Sequence, residues 1–154
     1  MIRLTIMGQP SSKANSRRIV TFGGRPASIK SREAIAYERD AMRQIPPAAR
    51  QRLDGPVRMT IRIWYASERP DLDESLILDI LQDRWERDRH SGERVLVRAG
   101  VYRNDRQVRE RHVYHGIDRA NPRAEIIVEP LAPQQAELQL LDRMVAMADE
   151  DPWE

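Results

Sequence analysis

The chain has 154 residues, 40% hydrophobic and 32% charged, with 26 basic against 24 acidic side chains and a net charge of +2. That length suits one compact domain with a modest core and is too short for two of ordinary size. There is no cysteine, which excludes a disulfide framework and a cysteine-based zinc site, so any metal must sit on oxygen or imidazole.

In chain order, Ile2 to Met7 alternates apolar and polar residues and reads as a first strand. The segment is too short and mixed for a signal peptide, and no apolar run is long enough to span a bilayer, so the expectation is a soluble cytoplasmic protein with no membrane partner. Gly8 to Ser12 breaks the strand. From Lys13 to Arg32 the cations Lys13, Arg17, Arg18, Arg25, Lys30 and Arg32 occur without one acid, around a hairpin that turns at Gly23-Gly24. Ser31 is the expected N-cap of a helix reaching about Gln44, with Ala34, Ile35, Ala41, Met42 and Ile45 as its apolar side and Pro46-Pro47 as its stop.

Val57, Met59, Ile61, Ile63 and Tyr65 alternate with polar or bulky residues, the period of a strand with one buried face. After Arg69-Pro70-Asp71-Leu72-Asp73-Glu74 comes a short helix over about Glu74 to Gln82 with Leu76, Ile77, Ile80 and Leu81 inward. Asp83 to Arg94 is a dense charge run and reads as a solvated loop. Val95 to Tyr102, Val108 to His115 and Ala124 to Glu129 read as strands, and Gln134 to Met147 as an amphipathic helix. This order is a mixed α/β arrangement of the α+β kind rather than regular βαβ alternation. Beyond Leu131 six acids face Arg143, a net of −5, which leaves 25 basic and 18 acidic residues, a net of +7, in residues 1–130. The division is therefore a basic domain over 1–131 and an acidic helix or tail over 132–154, a pattern suited to a phosphate backbone. The small size also favours a homodimer.

Asp71 and Asp73, two residues apart in an extended segment, project on one face and can share a hard cation. Helix N-caps use the same residues, so that reading stands beside the metal one. Asp105, after the strand ending at Tyr102, offers a third carboxylate. His90, His112 and His115 do not form a ligand set, since the last two point to opposite faces of one strand. Tyr37, Trp64 and Trp85 are expected to pack rather than to stack on bases.

Three runs, Arg69-Pro70-Asp71-Leu72-Asp73-Glu74, Leu78-Asp79-Ile80-Leu81 and Asn104-Asp105-Arg106-Gln107-Val108, resemble the RusA family of Holliday-junction resolvases. That family has an Asp-Leu-Asp-Asn motif leading into a helix and a later Asp followed by x-Gln-Val. Gly8-Gln9-Pro10 and Lys13-x-Asn15-Ser16-Arg17 are similar to its opening strand and basic loop. The likeness covers roughly residues 1 to 130, in patches. It implies a homodimer of a RusA-like domain, with a mixed sheet and flanking helices. It also implies binding of four-way or other branched DNA and hydrolysis of two symmetric phosphodiesters with Mg²⁺ or Mn²⁺, in recombination and repair. The family's three essential aspartates fall on Asp71, Asp73 and Asp105. Glu74 stands where the family has Asn and becomes a further or outer ligand. The implied DNA contacts are Lys13, Arg17, Arg18, Arg25, Lys30, Arg32, Arg69 and Arg106. The family's functional Lys, four residues after the second Asp, is Ile77 here, which leaves Lys13, Lys30 or Arg69 to supply that charge. Two alternatives follow: a junction-binding protein of the same fold without catalysis, and a metallo-nuclease acting on RNA.

Overall fold

The computed structural model describes residues 1–12, 14–15, 17–131, 141–142 and 144–145. The helix expected over Gln134 to Met147 lies largely outside them, as does Lys13.

Over residues 1–131 the described fold is mixed α/β: a four-stranded mixed sheet, two α-helices and two separate β-ribbons. Strands β1 (Ile2–Met7), β4 (Val57–Tyr65), β7 (Val108–Ile117) and β8 (Arg123–Pro130) lie in the order β1-β8-β4-β7. The pairs β1/β8 and β8/β4 are antiparallel, and β4/β7 is parallel. Alternation decides which face is covered. Ile2, Leu4 and Ile6, then Val57, Met59, Ile61, Ile63 and Tyr65, then Ala124, Ile126 and Val128 are all buried on one side. Helix α1 (Arg32–Gln44) and helix α2 (Ser75–Leu81) contribute to the same core through Ala34, Tyr37, Ala41 and Met42 and through Leu76, Ile77, Leu78, Ile80 and Leu81.

Helix α1 begins as expected: the Ala34 N–H donates to Ser31 Oγ at 3.2 Å. Its inward side differs by one position. Ile35 is 49% exposed, and Tyr37 is buried in its stead. The 3.6-residue period admits both, and the larger ring buries more apolar surface.

The expected loop over Asp83 to Arg94 is instead half of a ribbon in which β5 (Arg84–Arg87) pairs antiparallel with β6 (Arg94–Arg98). Both strands are almost wholly exposed, so no inside-outside alternation marks them in the sequence. Strand β6 stops before Tyr102 because Gly100 runs directly against the backbone of Leu81 to Asp83. A Cβ at Gly100 would lie 2.4 Å from the Gln82 carbonyl carbon. The other ribbon, β2 (Arg17–Phe22) with β3 (Arg25–Lys30), follows the sequence reading closely, and Gly23 and Gly24 at its turn have φ of 55° and 79°. Two successive residues with positive φ are the signature of a tight two-residue hairpin turn.

Candidate active site and basic ribbon

The acids of the first motif leave β4 in a loop organised by Tyr65, the last residue of that strand. Its hydroxyl donates to the Asp71 carbonyl at 3.0 Å and accepts from the Asp73 N–H at 3.1 Å. One phenol thereby fixes the backbone on both sides of Leu72. Burial raises the Tyr65 hydroxyl above its ordinary pKa. The hydrogen bond from Asp73 opposes that rise, while the negative charges of Asp73, Glu74 and Asp71 add to it. The ring also stacks on His115, centroid to centroid 5.2 Å.

Asp73 Oδ1 accepts from the Ser75 N–H at 2.9 Å, a turn contact just ahead of α2, whose N-cap Glu74 makes no side-chain cap hydrogen bond. Glu74, the residue before α2, is joined to Arg111 Nη1 at 3.0 Å. Arg111 stands opposite Met59 in the β4/β7 register. It therefore occupies the helix-covered side of the edge strand, where an apolar residue would be expected if no cleft lay there.

Asp105 is set by a different device. Asn104 and Gln107 form a reciprocal cap around the short turn Asp105–Gln107. Gln107 Oε1 accepts from the N–H groups of Arg103 and Asn104 at 2.8 and 2.9 Å. Its Nε2 donates to the carbonyls of Leu53 and Gly55 at 2.7 and 2.9 Å. The Asp105 N–H donates to Gln82 Oε1 at 3.2 Å. Beneath it the Tyr102 hydroxyl donates to the Leu78 carbonyl at 2.6 Å, and burial, then the charges of Asp105 and Asp79, push its pKa up. Tyr65 thus marks one group of carboxylates and Tyr102 the other.

Two clefts carry these groups. One, of about 340 Å³, is lined by Asp79 and Asp105 together with Arg17, Lys30 and Arg111. The other, of about 1100 Å³, is lined by Asp71 and Arg69 with Arg17, Arg18 and Arg32 and by Gln9 to Ser12, Ala14 and Asn15. Arg17 lines both, and so borders the cleft of Asp71 and that of Asp105. Lys30 Nζ is bound to Glu38 Oε1 at 2.5 Å. Arg25 is at the ribbon turn, and Arg106 lies exposed on the Asp105 turn, its N–H donating to Asn104 Oδ1 at 2.9 Å; neither lines either of these two clefts. Ile77 is wholly buried.

All the donors are hard oxygens, which suits Mg²⁺ or Mn²⁺ by chemistry. Among the described residues, however, no three or more His, Asp or Glu side chains converge as a metal-binding group. The positioning residues Tyr65, Tyr102 and Gln82 and the cleft cation Arg111 were not evident from the acid motifs, which did contain Gln107. The sequence signal for Arg111 is a charge on the core side of a strand.

No helix among the described residues is long and apolar enough to cross a membrane. Comparison with known proteins yields no family profile that matches the chain and no curated protein that matches it.

Proposed function

We propose that the chain is a divalent-metal-dependent endonuclease of the RusA type that acts as a homodimer on four-way and other branched DNA in the cytoplasm. The observation that carries this reading is the smaller cleft: Asp79 and Asp105 lie beside Arg17, Lys30 and Arg111 at the base of a ribbon whose cations have no acid among them. Carboxylates and cations side by side suit a phosphodiester, since the cations hold the phosphate while the acids serve a metal or a water. Asp71, Asp73 and Asp105, with Glu74, are the residues proposed to hold the ion, which would supply an activated water and neutralise charge at phosphorus. Arg17, which borders both clefts, positions the backbone. Lys30 or Arg111, both on the cleft wall, supplies the positive charge that the buried Ile77 cannot. A dimer would place a second cleft for the second cut.

The runner-up is a junction-binding protein without catalysis, and Ile77 together with the dispersed carboxylates favours it. One experiment decides. A synthetic four-way junction, a linear duplex, a flap and a single-stranded RNA are incubated with the protein in Mg²⁺, in Mn²⁺ and in EDTA. Paired nicks in the junction that vanish in EDTA support the proposal. Tight junction binding without nicks in either metal supports the runner-up, and cutting confined to RNA overturns both.

A further inference from the structure

Phe22 is the only phenylalanine in the chain, and it is spent where burial cannot reward it, at the end of β2 with 64% of its surface exposed. In the ribbon register it faces Arg25. Strand alternation places Arg18 and Val20 on the same face. Val20, Ala27 and Ile29 on that face are half-buried, so the face packs at its base and only its tip is bare. Beyond Phe22 come Gly23 and Gly24, where an added Cβ would meet nothing within 4 Å. The tip therefore combines a flat apolar ring, the facing Arg25 and a turn with no side chain to obstruct its approach, while Arg18 lies on the same face towards the ribbon base.

The second ribbon shows that exposure alone is not the signal. There Trp85 is 41% exposed, but Arg94 lies over its ring at 5.1 Å, and Glu86, Asp88 and Glu93 interrupt the cations. Phe22 has no ring or cation contact of that kind among the described residues.

We infer that Phe22 is a wedge that enters the base stack of the bound nucleic acid while Arg25 beside it holds the adjacent phosphate and Arg18 holds the backbone farther along the same face. The inference rests on the reading of the basic ribbon as a DNA-binding element. Apolar wedges commonly unstack base steps, and the energy required is least where pairing is already interrupted, as at a branch point. Distance agrees. Arg17 and Lys30 at the ribbon base line the acid cleft, and the strand from Arg17 to Phe22 spans about 17 Å, or about five base-pair rises. One molecule can thus open the stack at the branch and present a nearby phosphodiester to Asp105.

The test uses the full chain in EDTA, which separates binding from cutting, with a four-way junction carrying 2-aminopurine either at the branch or within one arm. Wild-type protein is expected to raise fluorescence about twofold or more at the branch and not in the arm. Phe22→Ala should bind the junction, melt as the wild type does and lose the rise, whereas Phe22→Leu should recover part of it. A Phe22→Ala protein that raises branch fluorescence as the wild type does, at saturation, overturns the wedge and leaves the nuclease reading intact. So does wild-type binding without any rise. Failure of the wild type to bind a junction at low salt overturns the DNA reading of the ribbon and the wedge with it.

Discussion

Asp83 and Asp105 both sit against the C-terminal end of α2, one residue after Gln82 in the chain and one hydrogen bond away from it, yet their carboxylates have opposite surroundings. Asp83 has 1% of its side chain exposed and is fully engaged. Arg52 Nε reaches both of its oxygens at 3.2 and 3.0 Å, Arg52 Nη2 adds a contact of 2.8 Å, and the Gly100 N–H donates to Oδ1 at 2.8 Å. The Asp105 carboxylate, engaged by no hydrogen bond or ion pair among the described residues, faces the cleft. A buried acid with every oxygen answered closes a fold; an acid held by its backbone and aimed at solvent is available to a ligand. Charge and sequence context do not separate the two, since each stands beside an arginine, Arg84 or Arg106.

Substitution should turn that contrast into separate losses. The largest effect is expected for Asp83→Ala, which strips Arg52 of its partner and leaves the Gly100 N–H buried without an acceptor. Stability should fall by on the order of 3 kcal/mol, read as a drop in melting temperature on the order of 10 °C. If melting is unmoved, the contrast fails at its structural end. Asp105→Asn should do the reverse, slowing junction cutting by roughly 10²-fold while melting stays within about 0.5 kcal/mol of wild type. Equal cutting by this variant at saturating Mg²⁺ would remove Asp105 from the active site.

Tyr65→Phe probes the scaffold between these extremes. It leaves two backbone groups of the acid loop without their shared partner, so about 1 kcal/mol of stability and roughly tenfold in cutting rate should be lost, with junction affinity in EDTA unchanged. Unaltered cutting would show that the Asp71–Asp73 loop needs no such anchor. The smallest effect belongs to Glu110→Gln. Glu110 is an exposed acid bound by Arg58 at 2.5 Å, and that hydrogen bond holds its carboxyl below the ordinary carboxylate range. The contact is therefore present at neutral pH and is lost as pH falls through the lowered value. Being solvent-exposed it is well screened, so neither melting nor cutting should move. A measurable loss in either would mean that surface acids of β7 contribute more than the comparison allows.

The elements that alternate cleanly were legible from sequence, and those that do not were hidden. Strand β4, the basic ribbon and the Ser31 cap each carry a local signal, and each lies within a residue or so of the expected place. The β5–β6 ribbon carried none, because both of its faces meet solvent and its charges resemble those of a loop. Asp71, Asp73 and Asp105 could be singled out in sequence as candidates, but their arrangement, with Asp71 and Asp105 lining different clefts, could not. Whether they share one cleft depends on how Tyr65 and Gln107 fix two loops separated by more than thirty residues. That is a property of tertiary contacts, which no short motif contains. The difference between Asp83 and Asp105 was invisible for the same reason, since it turns on Arg52 and Gly100.

The pairing of β1 with β8, Ile2 opposite Val128 through Met7 opposite Arg123, has a consequence for how the protein comes into being. Strand β1 joins the sheet only through β8, the last strand described, and β8 also bridges β1 to β4. Until residue 130 is free, Ile2, Leu4 and Ile6 have no sheet to enter, and the apolar side of β4 lacks one of its two neighbours. Loop closure over such a separation is slow compared with local hairpin formation. The two ribbons and α1 can therefore form early during synthesis, while the sheet that carries the core closes in a single late step.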